Sequence, residues 1–128
     1  MTSFDVTTTR RTEFVDITDK IQRAAEILQI NTGVLTVFVP HTTAGITINE
    51  NADPDVIADL ENALERLVPW KAGYRHTEGN AAAHVKASLM GHSVKIIVHN
   101  GRLQLGTWQG VYFCEFDGPR HRKVWVAS

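Results

Sequence analysis

The fold is decided by residues 94–126, which read VKIIVHNGRLQLGTWQGVYFCEFDGPRHRKVWV. β-Branched and aromatic residues dominate this stretch, and Asn100-Gly101 is a strong hairpin signal because both residues tolerate positive φ. The pattern predicts strands over Val94–Val98 and about 107–116, then a turn at Asp117–Pro119 and a final strand to Val126. Strands that follow one another without intervening helices favour antiparallel pairing.

The residues before this stretch predict two strands, a helix and a further strand. Phe4–Ile17 is rich in Thr, Val and Phe, and its two strands meet near Arg10-Arg11. Thr18 is the expected N-cap of the following helix, and Gly33 is expected to take the left-handed position after its end. The compact β-branched run Val34–Val39 predicts a central strand.

The middle of the chain predicts another strand and two more helices. The strand lies around Ile46–Ile48, and Asp53-Pro54 then supplies an N-cap and a first helical residue. A short Ala-rich helix is expected to begin at Asn80 or Gly79 and to run through Leu89, with Gly91 ending it. Because strands and helices do not alternate strictly, we predict one compact α+β domain over residues 1–128, with packed, largely antiparallel β-sheets and two or three helices.

Composition excludes several classes of partner. Thirteen basic and fourteen acidic residues give a net charge of −1, so no nucleic acid or membrane partner is expected. No signal peptide is recognised and no apolar run approaches the roughly 20 residues of a membrane span, so a cytoplasmic location is expected.

The basic run Arg120–Lys123 is interpreted as a solvated turn and strand edge. Cys114 is interpreted as a buried structural thiol, and Trp108 as a core residue.

Three histidines mark the candidate site. His41 follows a strand, His76 lies in a loop, and His84 falls in the first turns of the Ala-rich helix. Neutral imidazole is a common metal ligand and also serves as a general acid or base. The three rings could form an open site for a divalent metal, zinc or magnesium, with water in the remaining position. The alternative is that they are surface or hydrogen-bonded structural histidines.

Other polar groups extend this hypothesis. Glu50 and Glu78 could bind a metal, accept hydrogen bonds or act as bases, and the alternative for each is a solvated carboxylate. Free amides at the helix start near Asn80 suit a phosphate group. Arg102 is a candidate charged clamp or a solvent-facing strand residue, while Gln109 either bonds to the backbone or faces the site.

Several short stretches together resemble the YjbQ-like family, also called the secondary thiamine-phosphate synthase family. The matching stretches are His41–Ala44, Ile48–Asn51, Asp53–Asp55, His76, Glu78–Asn80, Ala83-His84, Ser88–Gly91, Asn100–Leu103, Leu105–Gly110 and Asp117–Arg120. One departure is Ala82, where many similar members carry Asp.

The resemblance implies a YjbQ-like fold, a homotrimer and a polar pocket that uses His41, Glu50, His76, Glu78, Asn80 and His84 as site residues. It also implies an enzyme that joins hydroxymethylpyrimidine diphosphate to thiazole phosphate and releases diphosphate, an activity that can be secondary to another reaction. The candidate substrate-binding residues are Thr42, Asn51, Asn80, Arg102 and Gln109. A metal-dependent hydrolase or lyase and a non-catalytic metal- or small-molecule-binding module use the same residues and stay open as alternatives.

Overall fold

Eight strands and three helices make up the fold in the computed structural model, which describes residues 1–128. The strands are β1 (Thr2–Thr7), β2 (Glu13–Asp16), β3 (Gly33–Phe38), β4 (Ala44–Glu50), β5 (Ser93–His99), β6 (Arg102–Leu103), β7 (Gln109–Glu115) and β8 (His121–Ala127). The helices are α1 (Thr18–Ile27), α2 (Pro54–Leu67) and α3 (Ala81–Met90). The predicted α+β fold is therefore confirmed, with three helices.

The strands pair only antiparallel and form two sheets. The larger sheet has five strands in the order β1-β8-β3-β5-β6, and the smaller has three in the order β2-β7-β4. β5 and β6 form the predicted hairpin, in which Asn100 and Gly101 have φ values of 51° and 75°. Both values lie in the left-handed region that the sequence predicted for this turn.

The three-stranded sheet lies between two apolar cores. Sixteen buried residues from α1 and both sheets form the first core, and seven from α2, α3 and the three-stranded sheet form the second. Because side chains alternate along a strand, Val111 and Phe113 of β7 enter the first core while Tyr112 and Cys114 enter the second. Cys114 is fully buried as predicted, and burial raises the pKa of its thiol.

Six chain connections cross between the sheets. Four of them contain no helix, and these join β6 to β7, β1 to β2, β3 to β4, and β7 to β8. The strands on either side of Arg10-Arg11 therefore lie in different sheets, and so do those on either side of the Asp117–Pro119 turn. The last two crossings meet at one end of the molecule, because Ala44 at the start of β4 pairs with Glu115 at the end of β7.

Two predictions about the ends of α1 are wrong. Thr18 is the first helical residue, and its hydroxyl donates to Asp16 Oδ1 instead of capping a helix amide. The Asp16 carboxylate also accepts from the Thr18 amide, so it takes the capping role that was expected of the Thr18 hydroxyl. At the other end, Gln29 occupies the left-handed position with φ 56°, and Gly33 begins β3.

The predicted ends of α2 and α3 are confirmed. Asp53 is the N-cap of α2, where its side chain accepts from the Asp55 amide, and Pro54 stands at the start of the helix. Asn80 is the N-cap of α3, and Gly91 closes it with φ 85°. Gly45 lets the end of α3 pack close to β4 because it has no side chain. A Cβ added at this position would lie 2.7 Å from the Gly91 carbonyl oxygen. None of the three helices has the length and apolar character needed to cross a membrane.

Candidate functional site

A polar pocket of about 440 Å³ opens where two of the crossings between sheets meet the start of α3. Apart from Pro40, every residue of its lining is polar or charged. The β3–β4 connection contributes its first wall, and the β7–β8 connection with the start of β8 contributes the second. The α2–α3 loop and the first turns of α3 complete it. We call this cavity the histidine pocket.

The structure brings six of the predicted site residues together in the histidine pocket. These are His41, Thr42, His76, Glu78, Asn80 and His84. The three histidines come from three separate segments of the chain, and only the fold makes them neighbours. Five further residues complete the lining, namely Pro40, Thr43, Asp117, Arg120 and Arg122.

His41 is fixed on the wall by the backbone of β8. Its Nε2 atom accepts a hydrogen bond from the Lys123 amide over 3.0 Å. An accepting Nε2 requires the neutral ring with its proton on Nδ1. Burial and the nearby Arg122 guanidinium both lower the pKa of His41, which favours the same neutral form.

His76 and His84 form a pair on the part of the lining that the α2–α3 loop and α3 contribute. Their ring centroids are 5.3 Å apart and the rings are nearly perpendicular, in an edge-to-face arrangement. His76 Nε2 also lies 3.8 Å from Glu78 Oε1, so that the carboxylate stands beside the imidazole. A neutral imidazole both donates and accepts, and a protonated one donates from both nitrogens. This wall can therefore give hydrogen bonds to a ligand in either protonation state.

A buried ion pair presents Arg122 to the pocket. Glu115 is fully buried and accepts from Arg122 Nε over 2.9 Å and from Arg122 Nη2, while Thr8 Oγ1 and the Asp117 amide donate to the same carboxylate. Arg122 Nη2 also donates to Thr43 Oγ1. The remaining Nη1 group makes no hydrogen bond within the chain and keeps contact with solvent. Arg122 is therefore a fixed guanidinium whose Nη1 hydrogens are free to donate to a ligand.

Asn80 connects the start of α3 to a second ion pair, which Asp117 and Arg120 form. Its Nδ2 donates to Asp117 Oδ2 over 2.9 Å, and Arg120 Nη2 donates to the same oxygen over 3.0 Å. Because an ionised carboxylate only accepts, these bonds fix which end of the Asn80 amide faces Asp117. The other end, Oδ1, is buried without a hydrogen-bond partner, and a donor from a ligand or water would satisfy it.

The sequence interpretation missed the arginine side of this pocket. Arg120 and Arg122 were expected in a solvated run, but Arg122 is 6% exposed and Arg120 is held by Asp117. The sequence did contain a signal for the burial of Arg122. Side chains alternate along a strand, so Arg122 points to the same side of β8 as the buried residues Val124 and Val126. The interpretation of this run as solvated is correct for Arg120, His121 and Lys123, which are exposed, and wrong for Arg122.

Four predicted site residues lie elsewhere in the chain. Glu50 ends β4 six residues after Ala44, which places it about 20 Å from the histidine pocket at the usual rise of a strand. Gln109 pairs with Glu50 in the sheet, and its Oε1 accepts from the Gly106 amide. Asn51 lies in a separate polar cleft beside Asp16, and Arg102 is an exposed residue of β6. Within one chain these four residues do not reach the pocket, and their roles stay predictions.

Trp108 lies beside this distant group and is not a core residue. Its side chain is 63% exposed, so the expectation that it packs in the core is wrong. The position falls in the turn that precedes β7, outside the strand where alternation would have buried it.

The predicted metal site was tested on the arrangement of the side chains. Nowhere in residues 1–128 do three His, Cys, Asp or Glu side chains come together closely enough to hold a metal ion. In the histidine pocket, His41 Nε2 accepts from the Lys123 amide, so that this nitrogen is not free to bind a metal. Within one chain and in this arrangement the three imidazoles therefore do not converge on a metal position. Ala82, where the resemblance would place a carboxylate, is fully buried at the start of α3 and adds no ligand.

Comparison with known proteins assigns the family. The family model for UPF0047 protein YjbQ-like matches residues 2–128. The chain belongs to this YjbQ-like UPF0047 family. UPF0047 protein YugU of Bacillus subtilis is 50% identical over 125 residues, covering 97% of this chain and 95% of the relative. UPF0047 protein MJ1081 of Methanocaldococcus jannaschii is 50% identical over 123 residues, with coverage of 96% and 89%.

Solved structures of YjbQ-like proteins have the same fold. A crystal structure of an uncharacterized conserved YjbQ/UPF0047 protein from Clostridium acetobutylicum has a TM-score of 0.97 and 52% identity, and covers 99% of this chain and 98% of that one. A conserved hypothetical protein from Thermus thermophilus has a TM-score of 0.92 and 44% identity, with the same coverage. The resemblance in family and fold is thus confirmed, while these relatives say nothing of thiamine-phosphate synthesis.

Proposed function

We propose that this YjbQ-like protein is an enzyme that binds a small phosphorylated substrate in the histidine pocket. The observation that carries the proposal is the Nη1 group of Arg122, whose hydrogens have no partner within the chain while Glu115 and Thr43 hold the rest of the guanidinium at the wall of the histidine pocket. A guanidinium that is already oriented loses little freedom when it binds an oxyanion. Arg120 stands on the same wall.

The start of α3 supports the same type of ligand. In the first turn of α3 the Ala83 amide donates to the Asn80 carbonyl, and the positive end of the helix dipole favours an anion beside Asn80. Asn80, the N-cap residue, lines the pocket. The imidazoles of His76 and His84 add hydrogen-bond donors on the same side.

The specific reaction that we propose is thiamine-phosphate synthesis, as the resemblance implies. In this reaction the bond from the pyrimidine methylene to the diphosphate oxygen breaks, and the electron pair leaves with the diphosphate. The thiazole nitrogen supplies the electron pair of the new carbon–nitrogen bond. Arg120 and Arg122 would hold the departing diphosphate, which is where negative charge develops, and the positive end of the α3 dipole would favour it. His76 and His84 would donate hydrogen bonds to its oxygens.

None of these steps uses the divalent metal, zinc or magnesium, that the histidines were predicted to bind. The side chains of the pocket do not converge on a metal position in the present arrangement, so no step is assigned to an ion. Metal binding by His41, His76 and His84 stays a separate prediction. Elemental analysis of the purified protein and of a His76→Gln, His84→Gln double variant measures it directly.

Turnover with the two thiamine precursors tests the proposed reaction. Diphosphate release and thiamine phosphate formation should both be observed for the wild type, and should fall at least about tenfold in His84→Ala, since one lost donor to a developing anion has effects of this order or larger. His99→Ala is the matched control, because His99 is exposed on β5 away from the pocket. Equal rates in the two variants contradict the assigned role.

Binding measured alongside turnover separates the alternatives. If diphosphate binds in the pocket but the precursors are not joined, the synthase assignment is wrong. Metal-dependent hydrolysis of a phosphate ester would then favour a hydrolase, and binding without any reaction would favour a binding module. If neither phosphate nor diphosphate binds, the proposal of a phosphorylated substrate fails as a whole.

The homotrimer implied by the resemblance is also part of this proposal. Four large apolar side chains are exposed on the outer face of the five-stranded sheet, namely Val34, Phe38, Ile97 and Trp125. Val34 pairs with Ile97, and Phe38 pairs with Trp125 and stacks on it at a centroid distance of 5.8 Å. An apolar patch of this kind supports contact with further copies of the chain. A cytoplasmic location is proposed with it.

A further inference from the structure

The loop between α2 and α3 is anchored at its two ends. Trp70 packs against the second apolar core, and the Arg11 guanidinium lies 4.2 Å from the centre of its ring in a cation–π contact. At the other end, Asn80 is buried and its side chain donates to the Asp117 carboxylate over 2.9 Å. Between these two anchors lie residues 71–79, which we call the 71–79 segment.

Few interactions hold the 71–79 segment between its anchors. None of its amides or carbonyl oxygens forms a hydrogen bond with another backbone group. Eight of its nine residues are exposed, and the exception, Tyr74, donates its hydroxyl to the Pro69 carbonyl of the same loop. The His76 ring packs edge-to-face on His84 of α3. A segment with so few backbone hydrogen bonds opens at a small cost in free energy.

Two glycines allow the backbone of the segment to rotate. Gly73 and Gly79 have φ values of 71° and 84°, in the left-handed region. A Cβ added at either position would meet no atom within 4 Å, so packing does not fix the backbone there. Glycine adopts positive and negative φ about equally readily, so both positions can change conformation at little cost. The residues between them include His76 and Glu78, which line the histidine pocket.

The loop also encloses space that no other part of the chain fills. A cleft of about 470 Å³ lies against the 71–79 segment, and every residue that lines it belongs to the α2–α3 loop. The segment is therefore not packed against an apolar core on this side. Moving it toward the histidine pocket breaks few contacts and exposes no core residue.

We propose that the 71–79 segment is a lid that closes over an anion bound in the histidine pocket. The two glycines rotate, the anchors stay in place, and His76 moves to donate a hydrogen bond to the anion that Arg122 holds. Closure excludes water from the pocket, which strengthens the hydrogen bonds of both side chains to the anion. This inference rests on the proposed function, because the anion has to bind before the lid can close on it.

Hydrogen exchange of the full-length protein, measured by mass spectrometry with and without inorganic diphosphate, tests the lid. Without diphosphate the amides of the 71–79 segment should exchange fast, because they have no backbone partners. With diphosphate at about 100 times its Kd, exchange throughout the segment should slow at least about tenfold. The β6–β7 connection, residues 104–108, lies outside the histidine pocket and should show no change.

The extent of this protection separates closure from simple contact with the ligand. Residues 71–75 do not line the histidine pocket, so they become protected only if the whole segment moves. Protection confined to residues 76–79 would mean that diphosphate touches the pocket lining without closure, and it would overturn the inference.

A pair of variants tests whether His76 drives the closure. His76→Ala should abolish the protection of residues 71–75, although diphosphate still binds to the two arginines of the pocket. His99→Ala is the matched control, because His99 is exposed on β5, and it should keep the protection. Full protection in His76→Ala contradicts the inference.

Calorimetric titration of diphosphate into the same samples distinguishes failure of the lid from failure of the proposed function. If diphosphate binds and exchange in the 71–79 segment does not change, the lid is overturned and the proposal of a phosphorylated substrate stands. If diphosphate does not bind, both are overturned.

Discussion

Arg122 and Glu115 show how one buried pair serves both stability and the pocket. Glu115 is fully buried and all of its hydrogen-bond donors are supplied by the chain. If Arg122 is removed, the carboxylate keeps its burial and loses its counter-charge. Charges buried in this way are among the most destabilising groups in a protein. The arginine is therefore held in place by the same interaction that makes its replacement costly.

Arg122→Met is expected to lower the free energy of unfolding by about 3–5 kcal/mol, because an unpaired carboxylate stays in the interior. Urea denaturation followed by circular dichroism measures the change. Lys123→Met is the neighbouring control, since Lys123 pairs only with the exposed Asp5 and should leave the midpoint unchanged. A loss below about 1 kcal/mol for Arg122→Met would mean that Glu115 is protonated or rehydrated in the variant.

His41 should make stability depend on pH. Its pKa lies below the usual value of 6.5 in the folded protein, chiefly because of burial. Between the two values the unfolded chain binds more protons, so stability rises with pH across this window and falls as the pH drops from 6.5 through the folded pKa. The difference between the wild type and His41→Gln in urea unfolding, measured from about pH 5 to 8, should isolate this slope. An NMR titration that gives His41 a pKa at or above 6.5 would contradict it.

At the residue scale, the sequence identified candidate site residues that lie at the end of a predicted strand or at the start of a predicted helix. His41 follows Pro40 after a strand, and Asn80 starts a helix, so both could be selected before the structure was known. Arg122 and Asp117 could not be assigned to the pocket in the same way. Their side chains reach it because β7 and β8 belong to different sheets, and no local pattern encodes which strands will be neighbours.

At the level of elements, the best-predicted helix offers a clean measurement. Asp53 caps α2 by accepting from the Asp55 amide over 2.9 Å. Asp53→Ala should therefore lower the free energy of unfolding by about 1 kcal/mol, because a helix amide loses its partner. Asp59→Ala, at an exposed position within the same helix, is the control and should have an effect well below the cap variant. Equal losses in the two variants would show that the cap bond contributes nothing beyond the change in helix charge.

The ends of helices and strands were predicted well where the geometry of the position strongly favours one residue type, as an N-cap or a positive φ does. Asp53, Gly91 and Asn100-Gly101 belong to this group. Thr18 and Gly33 do not, because a competing residue nearby took each role. The Asp16 carboxylate is a stronger acceptor than a hydroxyl, and α1 ends early enough for Gln29 to adopt the left-handed conformation.

At the scale of the whole molecule, the division into two sheets determines where a site can form. Each crossing between sheets leaves irregular backbone at an end of the layers, where side chains from two sheets meet. The histidine pocket lies at one such end, and Glu50 and Gln109 lie at the other end of the same strands. Whether the predicted site residues act together thus depends on how copies of the chain assemble.

Assembly is expected to be trimeric and to use the outer face of the five-stranded sheet. Size-exclusion chromatography with light scattering should give three copies of the 14.3 kDa chain, about 43 kDa. The double variant Phe38→Ser, Trp125→Ser should reduce this mass, because it removes the stacked aromatic pair from the exposed patch. Trp108→Ser removes an indole that is more exposed but lies outside this face, so it should leave the mass unchanged. A wild-type mass of one chain would contradict the trimer, whereas a trimer that survives the double variant would place the contact on another face.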